Sequence, residues 1–207
     1  MEQLLIFARY PSPGGAKTRL IPALGAEAAA ELERAMTEHT LAFVDRLTTR
    51  RPGLAVRLLS TGGTAHQFQQ LYGERRRCTD QGEGNLGERL ERAFGYAFLF
   101  GASRVVVART DAPEMDDRYM ERAFEALHSH DLVLGPAEDE GYVLIGLARH
   151  APELFHAVTW RTPKLAATTL ARAHDLGLAA FELPTLRDVD ELCDLDTWER
   201  RPRPPSP

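Results

Sequence analysis

The feature that most constrains the fold is the alternation of short apolar runs with longer stretches of helical periodicity. Six runs rich in Val, Ile and Leu are typical of buried strands, and they lie at residues 3–9, 54–60, 103–109, 131–136, 142–147 and 178–184. Between them, apolar residues recur at helical spacing, as at Leu32, Met36, Phe43 and Leu47. This alternation predicts an α/β fold, a three-layer α/β/α sandwich around a mostly parallel sheet. Only a short acidic turn separates the fourth and fifth runs, so at least one strand there should be antiparallel or at the sheet edge.

Length and charge limit the organisation of the chain and its partners. The 207 residues are enough for one domain, which we expect to span residues 1–198, and the Pro-rich residues 199–207 should form a disordered tail. With 25 basic and 30 acidic residues, the net charge of −5 provides no field to hold nucleic acid or an anionic membrane. No apolar stretch approaches the roughly 18 residues of a spanning helix, so we expect a cytoplasmic protein. A homodimer is compatible with the sequence.

The loop after the first run, "PSPGGAKTRL", places a Gly pair just ahead of Lys17, Thr18 and Arg19. A P-loop needs glycine directly before the lysine and again five residues earlier, but Ala16 and Pro11 hold those places. The sequence therefore excludes that backbone cradle. The two cations could still clamp a phosphate chain, Arg19 through its bidentate fork and Lys17 as a point charge. The alternative is a solvated basic loop.

Carboxylates follow three of the other runs, at strand ends where open α/β sheets bind ligands. Asp111 follows the third run, Asp139 the fourth, and Asp188 and Asp190 the sixth. Hard oxygen ligands suit Mg²⁺ or Mn²⁺, so Asp111 is the first candidate for a metal ligand. Each residue also has a structural alternative: Asp111 could cap the next helix or stabilise a turn, Asp139 could belong to an ordinary acidic turn, and Asp190 could be a helix N-cap.

A second Gly-rich stretch, "QGEGNLGERL", leads into a helix. The free N–H groups at the start of that helix would favour an anion or a base edge. A plain loop with Asn85 as the helix cap explains much of the same pattern.

Taken together and in order, six stretches resemble those of a bacterial family of proposed glycosyltransferases, long carried as a domain of unknown function, that has the GT-A nucleotide-diphospho-sugar transferase fold. The stretches are "FARYPSPGGAKTRLIPALG", "QGEGNLGERL", "RTDAPEM", "GPAEDEGYVLIGL", "WRTPKL" and "LRDVDEL". The resemblance extends from Leu4 to about Leu195. More distantly, the chain is similar to 2-phospholactate and molybdenum cofactor guanylyltransferases.

The resemblance implies a metal-dependent transferase with a nucleotide donor, a small-molecule acceptor and Mg²⁺ or Mn²⁺. Glycosyl transfer from a nucleotide-diphospho-sugar comes first, nucleotidyl transfer from a triphosphate is the alternative, and non-catalytic nucleotide binding is a third. The implied catalytic residues are Lys17, Arg19 and Asp139. The implied nucleotide-binding residues are Gly14, Lys17, Thr18, Arg19, Gln81 and Gly87. The implied metal ligands are Asp111, Asp188 and Asp190.

The chain departs from the family pattern at four positions. Arg109 stands where a small residue usually precedes the Thr-Asp pair, and Ala112 replaces a common cysteine. Glu140 and Arg161 each replace a glycine. The two arginines lie near the expected pocket and could bind phosphates, while Glu140 would strain a backbone position suited to glycine.

Overall fold

The computed structural model describes residues 1–139, 141–156 and 164–201. These residues form one sheet of seven strands in the order β3-β2-β1-β4-β6-β5-β7. The strands are β1 (Glu2–Arg9), β2 (Ala55–Thr61), β3 (Cys78–Asp80), β4 (Arg104–Arg109), β5 (Leu132–Pro136), β6 (Tyr142–Leu147) and β7 (Ala180–Glu182). All neighbouring pairs are parallel except those of β6, which is antiparallel to both β4 and β5. The mostly parallel sheet with an antiparallel strand is thus confirmed.

All six predicted runs are strands, and the sequence analysis missed only β3 within the described residues. That strand has three residues, of which Thr79 and Asp80 are exposed, so it lacks the apolar run that marks the others. Strand β1 shows the opposite case, because it is buried on both faces: Leu4 and Ile6 belong to one core cluster, Leu5 and Phe7 to the other.

Helices cover both faces of the sheet. They are α1 (Ile21–Leu24), α2 (Ala26–Arg50), α3 (Ala65–Tyr72), α4 (Leu86–Leu99), α5 (Asp117–Ala126), α6 (Leu165–Asp175) and α7 (Leu195–Arg200), with short 3-10 helices at Thr18–Leu20, Pro152–Leu154 and Leu192–Asp194. The core cluster on one face draws on α2, α3 and α5, and the cluster on the other face draws on α4 and α6. This is the predicted three-layer sandwich.

Two helices next to the site begin at specific caps. Asn85 accepts a hydrogen bond from the Glu88 N–H, and the Glu88 carboxylate accepts one from the Asn85 N–H, so α4 starts with a capping box. The Asp116 side chain accepts from the Tyr119 N–H and caps α5. Asp111 therefore does not cap α5, and that alternative for its role is wrong.

The C-terminal part of the chain packs against the beginning of the structure. Val189 is fully buried in a third apolar cluster with Leu20, Ala29 and Met36, which joins the segment after β7 to the first loop and α2. Helix α7 includes Glu199 and Arg200, the first two residues of the expected tail, and residues 202–207 lie outside the described part. Glu140 and Arg161 also lie outside it. None of the described helices is long and apolar enough to cross a membrane.

Candidate active site

The site lies at the carboxyl edge of the sheet, where the strand order changes direction. From β1 the chain continues outward through β2 and β3, whereas β4 returns to the other side of β1. The loops that leave β1 and β4 therefore diverge and open a crevice, which is where open α/β sheets bind ligands. Lys17 comes from the first of these loops and Asp111 from the second. The predicted convergence of the two residues is what the geometry shows, since Lys17 Nζ is 3.6 Å from Asp111 Oδ2.

Lys17 is held in the crevice by three oxygen atoms. Its Nζ donates a 2.6 Å hydrogen bond to the Val189 carbonyl and lies 4.0 Å from Glu33 Oε2, in addition to its contact with Asp111. The side chain is only 6% exposed, and the backbone is left-handed, with φ 45° and ψ 46°. A non-glycine residue in that region is held there by its surroundings. Lys17 thus acts on the crevice mainly through its charge.

Arg109, at the end of β4, lies between two of the predicted metal ligands. Its Nη2 donates a short hydrogen bond to Asp111 Oδ2 and contacts Asp188 Oδ2 at 3.4 Å. Burial by itself would lower the pKa of the guanidinium, but the negative charges of Asp111 and Asp188 outweigh burial and raise it. Arg109 is therefore a permanent positive charge, with 32% of its side chain exposed.

The two carboxylates beside Arg109 have opposite pKa shifts. Burial would raise the pKa of Asp111, but Arg109 and Lys17 outweigh burial and hold it below its usual range. Burial and the charge of Asp111 raise the pKa of Asp188 to about 6, despite the opposing effect of Arg109. Asp111 Oδ1 is buried and has no hydrogen-bond partner among the described residues. A buried carboxylate oxygen without a partner is costly, so the two cations beside Asp111 have to offset that cost.

Glu33 belongs to the same charge cluster and was missed by the sequence analysis. Its carboxylate is 7% exposed and faces Lys17. Burial raises the pKa of Glu33 and the charge of Asp111 adds to this, whereas Lys17 opposes it. The signal was present in the sequence, because Glu33 lies at helical spacing from the buried Ala29 and Met36 of α2.

Arg19 and Asp190 bind each other. Arg19 Nη1 donates to Asp190 Oδ2 at 2.9 Å and lies 3.4 Å from Glu191 Oε1, with 64% of the Arg19 side chain exposed. The predicted phosphate clamp is thus paired with a predicted metal ligand across 171 positions of sequence. The suggestion that Asp190 caps the next helix is wrong, since Glu191 holds that position.

An acidic cleft of about 300 Å³ joins these residues to Asp139. Its lining comprises Arg19, Glu138, Asp139, Arg187, Asp188, Asp190, Glu191 and Asp194. Asp139 Oδ1 accepts a 2.9 Å hydrogen bond from the Gly141 N–H, which orients the carboxylate. Its charge also acts on Arg109 and Asp188. Asp139 therefore shares a cleft with Asp188, as their positions after strands predicted.

The Gly-rich loop before α4 is fixed by two side chains. Gln81 is 5% exposed and donates to the carbonyls of Leu59 at 2.9 Å and Ala8 at 3.3 Å. Its side-chain amide therefore links the carboxyl ends of β1 and β2. Arg92 donates to the Gln81 carbonyl at 2.6 Å and to the Glu83 carbonyl at 3.0 Å. The sequence analysis did not identify Arg92.

The remaining predicted nucleotide-binding residues flank the two loops. Gly87 is buried in the first turn of α4. Gly14 has a left-handed φ of 79° with open space around it, and Thr18 begins a 3-10 helix. Their contact with a nucleotide stays a prediction.

We expect Gly82→Ala to destabilise the protein by about 1 to 3 kcal/mol. Gly82 has a φ of 77°, and a Cβ there would force the guanidinium of Arg92 to move from the carbonyls of Gln81 and Glu83 that it binds. Urea unfolding should show the loss, and Gly14→Ala is the matched control, because that glycine also has a positive φ but open space. Equal losses in the two variants would show that backbone strain alone is responsible.

The residues do not fit a metal ion held by Asp111, Asp188 and Asp190 together. Arg109 binds the first two, and Asp190 binds Arg19. Across residues 1–139, 141–156 and 164–201, no group of three His, Cys, Asp or Glu side chains could hold a metal ion.

The fold, with its crevice between β1 and β4, is that of the nucleotide-diphospho-sugar transferases. Residues 43–162 match the family described as "Uncharacterized protein conserved in bacteria (DUF2064)", and the chain belongs to this family. The resemblance seen in the sequence is thereby confirmed. No curated protein sequence matches the chain.

Solved structures share this fold over nearly the whole chain. A protein from Desulfovibrio desulfuricans G20, described as a "putative nucleotide-diphospho-sugar transferase", is 30% identical with a TM-score of 0.89, over 96% of this chain and 86% of that one. The 4-diphosphocytidyl-2C-methyl-D-erythritol synthase of Anaerococcus prevotii is 12% identical with a TM-score of 0.62, over 95% and 93%. Glucosyl-3-phosphoglycerate synthase from Mycobacterium tuberculosis, in complex with Mn²⁺, UDP and glucosyl-3-phosphoglycerate, is 12% identical with a TM-score of 0.58, over 94% and 74%. The last two show the fold alone.

Proposed function

We propose that this protein is a transferase with a nucleotide donor, and that it transfers a glycosyl group from a nucleotide-diphospho-sugar to a small acceptor. The observation that carries the proposal is the similarity, at 30% identity over 96% of the chain, to the Desulfovibrio desulfuricans protein described as such a transferase. The position of the charged crevice supports it, because ligands of open α/β sheets bind at the point where the strand order changes.

In this proposal the donor diphosphate lies against Arg109 and Lys17. Glycosyl transfer breaks the bond between the anomeric carbon and the diphosphate oxygen, so negative charge develops on the departing nucleoside diphosphate. Arg109 is partly exposed and would contact that leaving group, and the buried Lys17, which contacts the same Asp111 oxygen, would add its charge. Arg19 was the predicted clamp, and it lines the acidic cleft, where it pairs with Asp190 and Glu191. We therefore place Arg19 in the wall of the cleft.

Two carboxylates complete the reaction. Asp111 holds the two cations at the site through its Oδ2, which accepts from Arg109 and contacts Lys17. The acceptor hydroxyl lies in the acidic cleft, and its proton passes to Asp139 as its oxygen bonds to the anomeric carbon. Asp139 suits this role because it is exposed to the cleft and its orientation is fixed by the Gly141 N–H.

Nucleotidyl transfer is the second candidate, because the fold is shared with a cytidyl-transferring synthase at a TM-score of 0.62. In that reaction an acceptor phosphate attacks the α-phosphorus of a triphosphate, and pyrophosphate leaves. The same two cations would stabilise the leaving group. Nucleotide binding without turnover is the third possibility.

The released product distinguishes the three possibilities. We expect incubation with a panel of nucleotide-diphospho-sugars, triphosphates and small hydroxyl or phosphate acceptors to release nucleoside diphosphate from one donor, as measured by mass spectrometry. Release of pyrophosphate would instead establish nucleotidyl transfer. Binding in calorimetry without either product would establish a binding protein, and an absence of both binding and product would contradict the proposal.

A further inference from the structure

We propose that Arg109 is the resident cation of this site, and that it takes the place between Asp111 and Asp188 that a divalent ion would otherwise occupy. The donor diphosphate would then bind without added metal. This consequence for the donor rests on the proposed function, whereas the exclusion of metal by Arg109 does not.

Geometry supplies the first reason. A single nitrogen of Arg109, Nη2, contacts one oxygen of each carboxylate. Lys17 Nζ approaches the same Asp111 oxygen at 3.6 Å. Asp111 Oδ2 therefore already has two cationic neighbours, and a metal ion that used it would lie beside both.

Charge supplies the second reason. Asp111 and Asp188 each have a cation in direct contact, Arg109 on both and Lys17 on Asp111, so a divalent ion at these oxygens would be repelled by those charges or would have to displace them. Mg²⁺ also needs oxygen ligands at about 2.1 Å in near-octahedral geometry. The third predicted ligand, Asp190, is engaged by Arg19.

The guanidinium retains donors for a ligand. Arginine carries five N–H donors, and within the described residues the hydrogen bonds of Arg109 all come from Nη2. With 32% of the side chain exposed, the N–H groups of Nε and Nη1, which lie on different edges of the guanidinium, can each donate to a phosphate oxygen. The residue thus combines the two tasks of a metal ion, which are to neutralise the carboxylates and to bind the diphosphate.

The test is a titration with Mn²⁺ alone, followed by electron paramagnetic resonance of the free ion. We expect wild-type protein to bind Mn²⁺ only weakly and Arg109→Ala to bind it at least tenfold more tightly, about 1.4 kcal/mol, because two nearly buried carboxylates lose their cation. Arg109→Ala with Asp111→Asn should lose this gain. Arg187→Ala is the matched control, because it removes a guanidinium that lines the acidic cleft and pairs with Glu138 without contacting Asp111, and it should leave Mn²⁺ affinity unchanged.

Further variants and UDP as a probe keep the outcome decisive. Arg109→Gln, which preserves bulk and hydrogen bonding, serves if circular dichroism shows that the alanine variant is unfolded. Tight Mn²⁺ binding by the wild type would overturn the proposal and show that the metal displaces Arg109. Folded Arg109 variants that bind Mn²⁺ no more tightly than the wild type would also overturn it. We also expect UDP affinity of the wild type to be unchanged by EDTA, and an EDTA-sensitive affinity would overturn metal-free binding. Absence of UDP binding both with and without Mn²⁺ would overturn the role of Arg109 in diphosphate binding, and the Mn²⁺ titration would then decide the exclusion of metal by itself.

Discussion

Replacing Lys17 with methionine should lower the free energy of unfolding by about 3 to 5 kcal/mol, the usual cost of removing one partner from a buried ion pair. Methionine keeps most of the side-chain volume but leaves Glu33 without its cation, and Asp111 loses one of its two. The hydrogen bond to the Val189 carbonyl also disappears. Urea unfolding followed by circular dichroism measures the loss.

Lys164→Met is the matched control for this variant. Lys164 is the other lysine with a positive φ, at 76°, but its side chain is exposed, so its replacement should cost little. Equal losses in the two variants would show that the buried position of the Lys17 ammonium does not determine the cost. Adding Glu33→Gln to Lys17→Met should recover part of the loss, because a neutral amide then replaces the carboxylate that had lost its cation.

The loss in Lys17→Met should also depend on pH. Burial already raises the pKa of Glu33 in the folded protein, and Lys17 opposes that rise. Without Lys17 the pKa of Glu33 in the folded state rises further. Glu33 is then protonated in the folded variant at pH values where it is already ionised in the unfolded chain, in which its pKa is ordinary. A group with a raised folded pKa contributes stability below that pKa, and the contribution disappears as pH increases. The loss should therefore be smaller at pH 5 than at pH 8.

The convergence of Lys17 and Asp111 could be predicted from the sequence because it follows from topology. Both residues come after parallel strands, and the carboxyl ends of parallel strands meet at one edge of the sheet. Each of the six predicted strands lies in an apolar run, so the edge of the sheet was defined as soon as those runs were recognised. β3 had no such run, and only its pairing with β2 reveals it.

The partners of the site residues could not be predicted in the same way. Arg19 meets Asp190 because Val189 packs into an apolar cluster with Leu20, and nothing local to either charged residue indicates that contact. Arg109 was noticed as a departure from the family pattern, but its position between two carboxylates depends on where the segment after β7 returns. Long-range packing of the C-terminal segment therefore determines which charges in the crevice are free.

Replacing Asp139 with asparagine should reduce turnover by about 10² to 10⁴-fold, the range for loss of a general base, while changing donor affinity by no more than a few fold. Asparagine can still accept the hydrogen bond from the Gly141 N–H through its side-chain oxygen, so the turn should keep its conformation. It cannot take the proton of the acceptor hydroxyl. The measurement is the rate of nucleoside diphosphate release with the donor found in the panel, alongside donor affinity by calorimetry.

The alternative explanation for such a loss is a change of charge, since Asp139 acts electrostatically on Arg109 and Asp188. Glu138→Gln separates the two explanations. Glu138 precedes Asp139, lines the same cleft and bears the same charge, but its carboxylate is engaged by Arg187 at 2.7 Å. If a positioned base is what matters, Glu138→Gln should retain turnover within a few fold of the wild type. If the field of the acidic cleft is what matters, the two variants should fall by similar factors, and Asp139 would lose its assignment as the base.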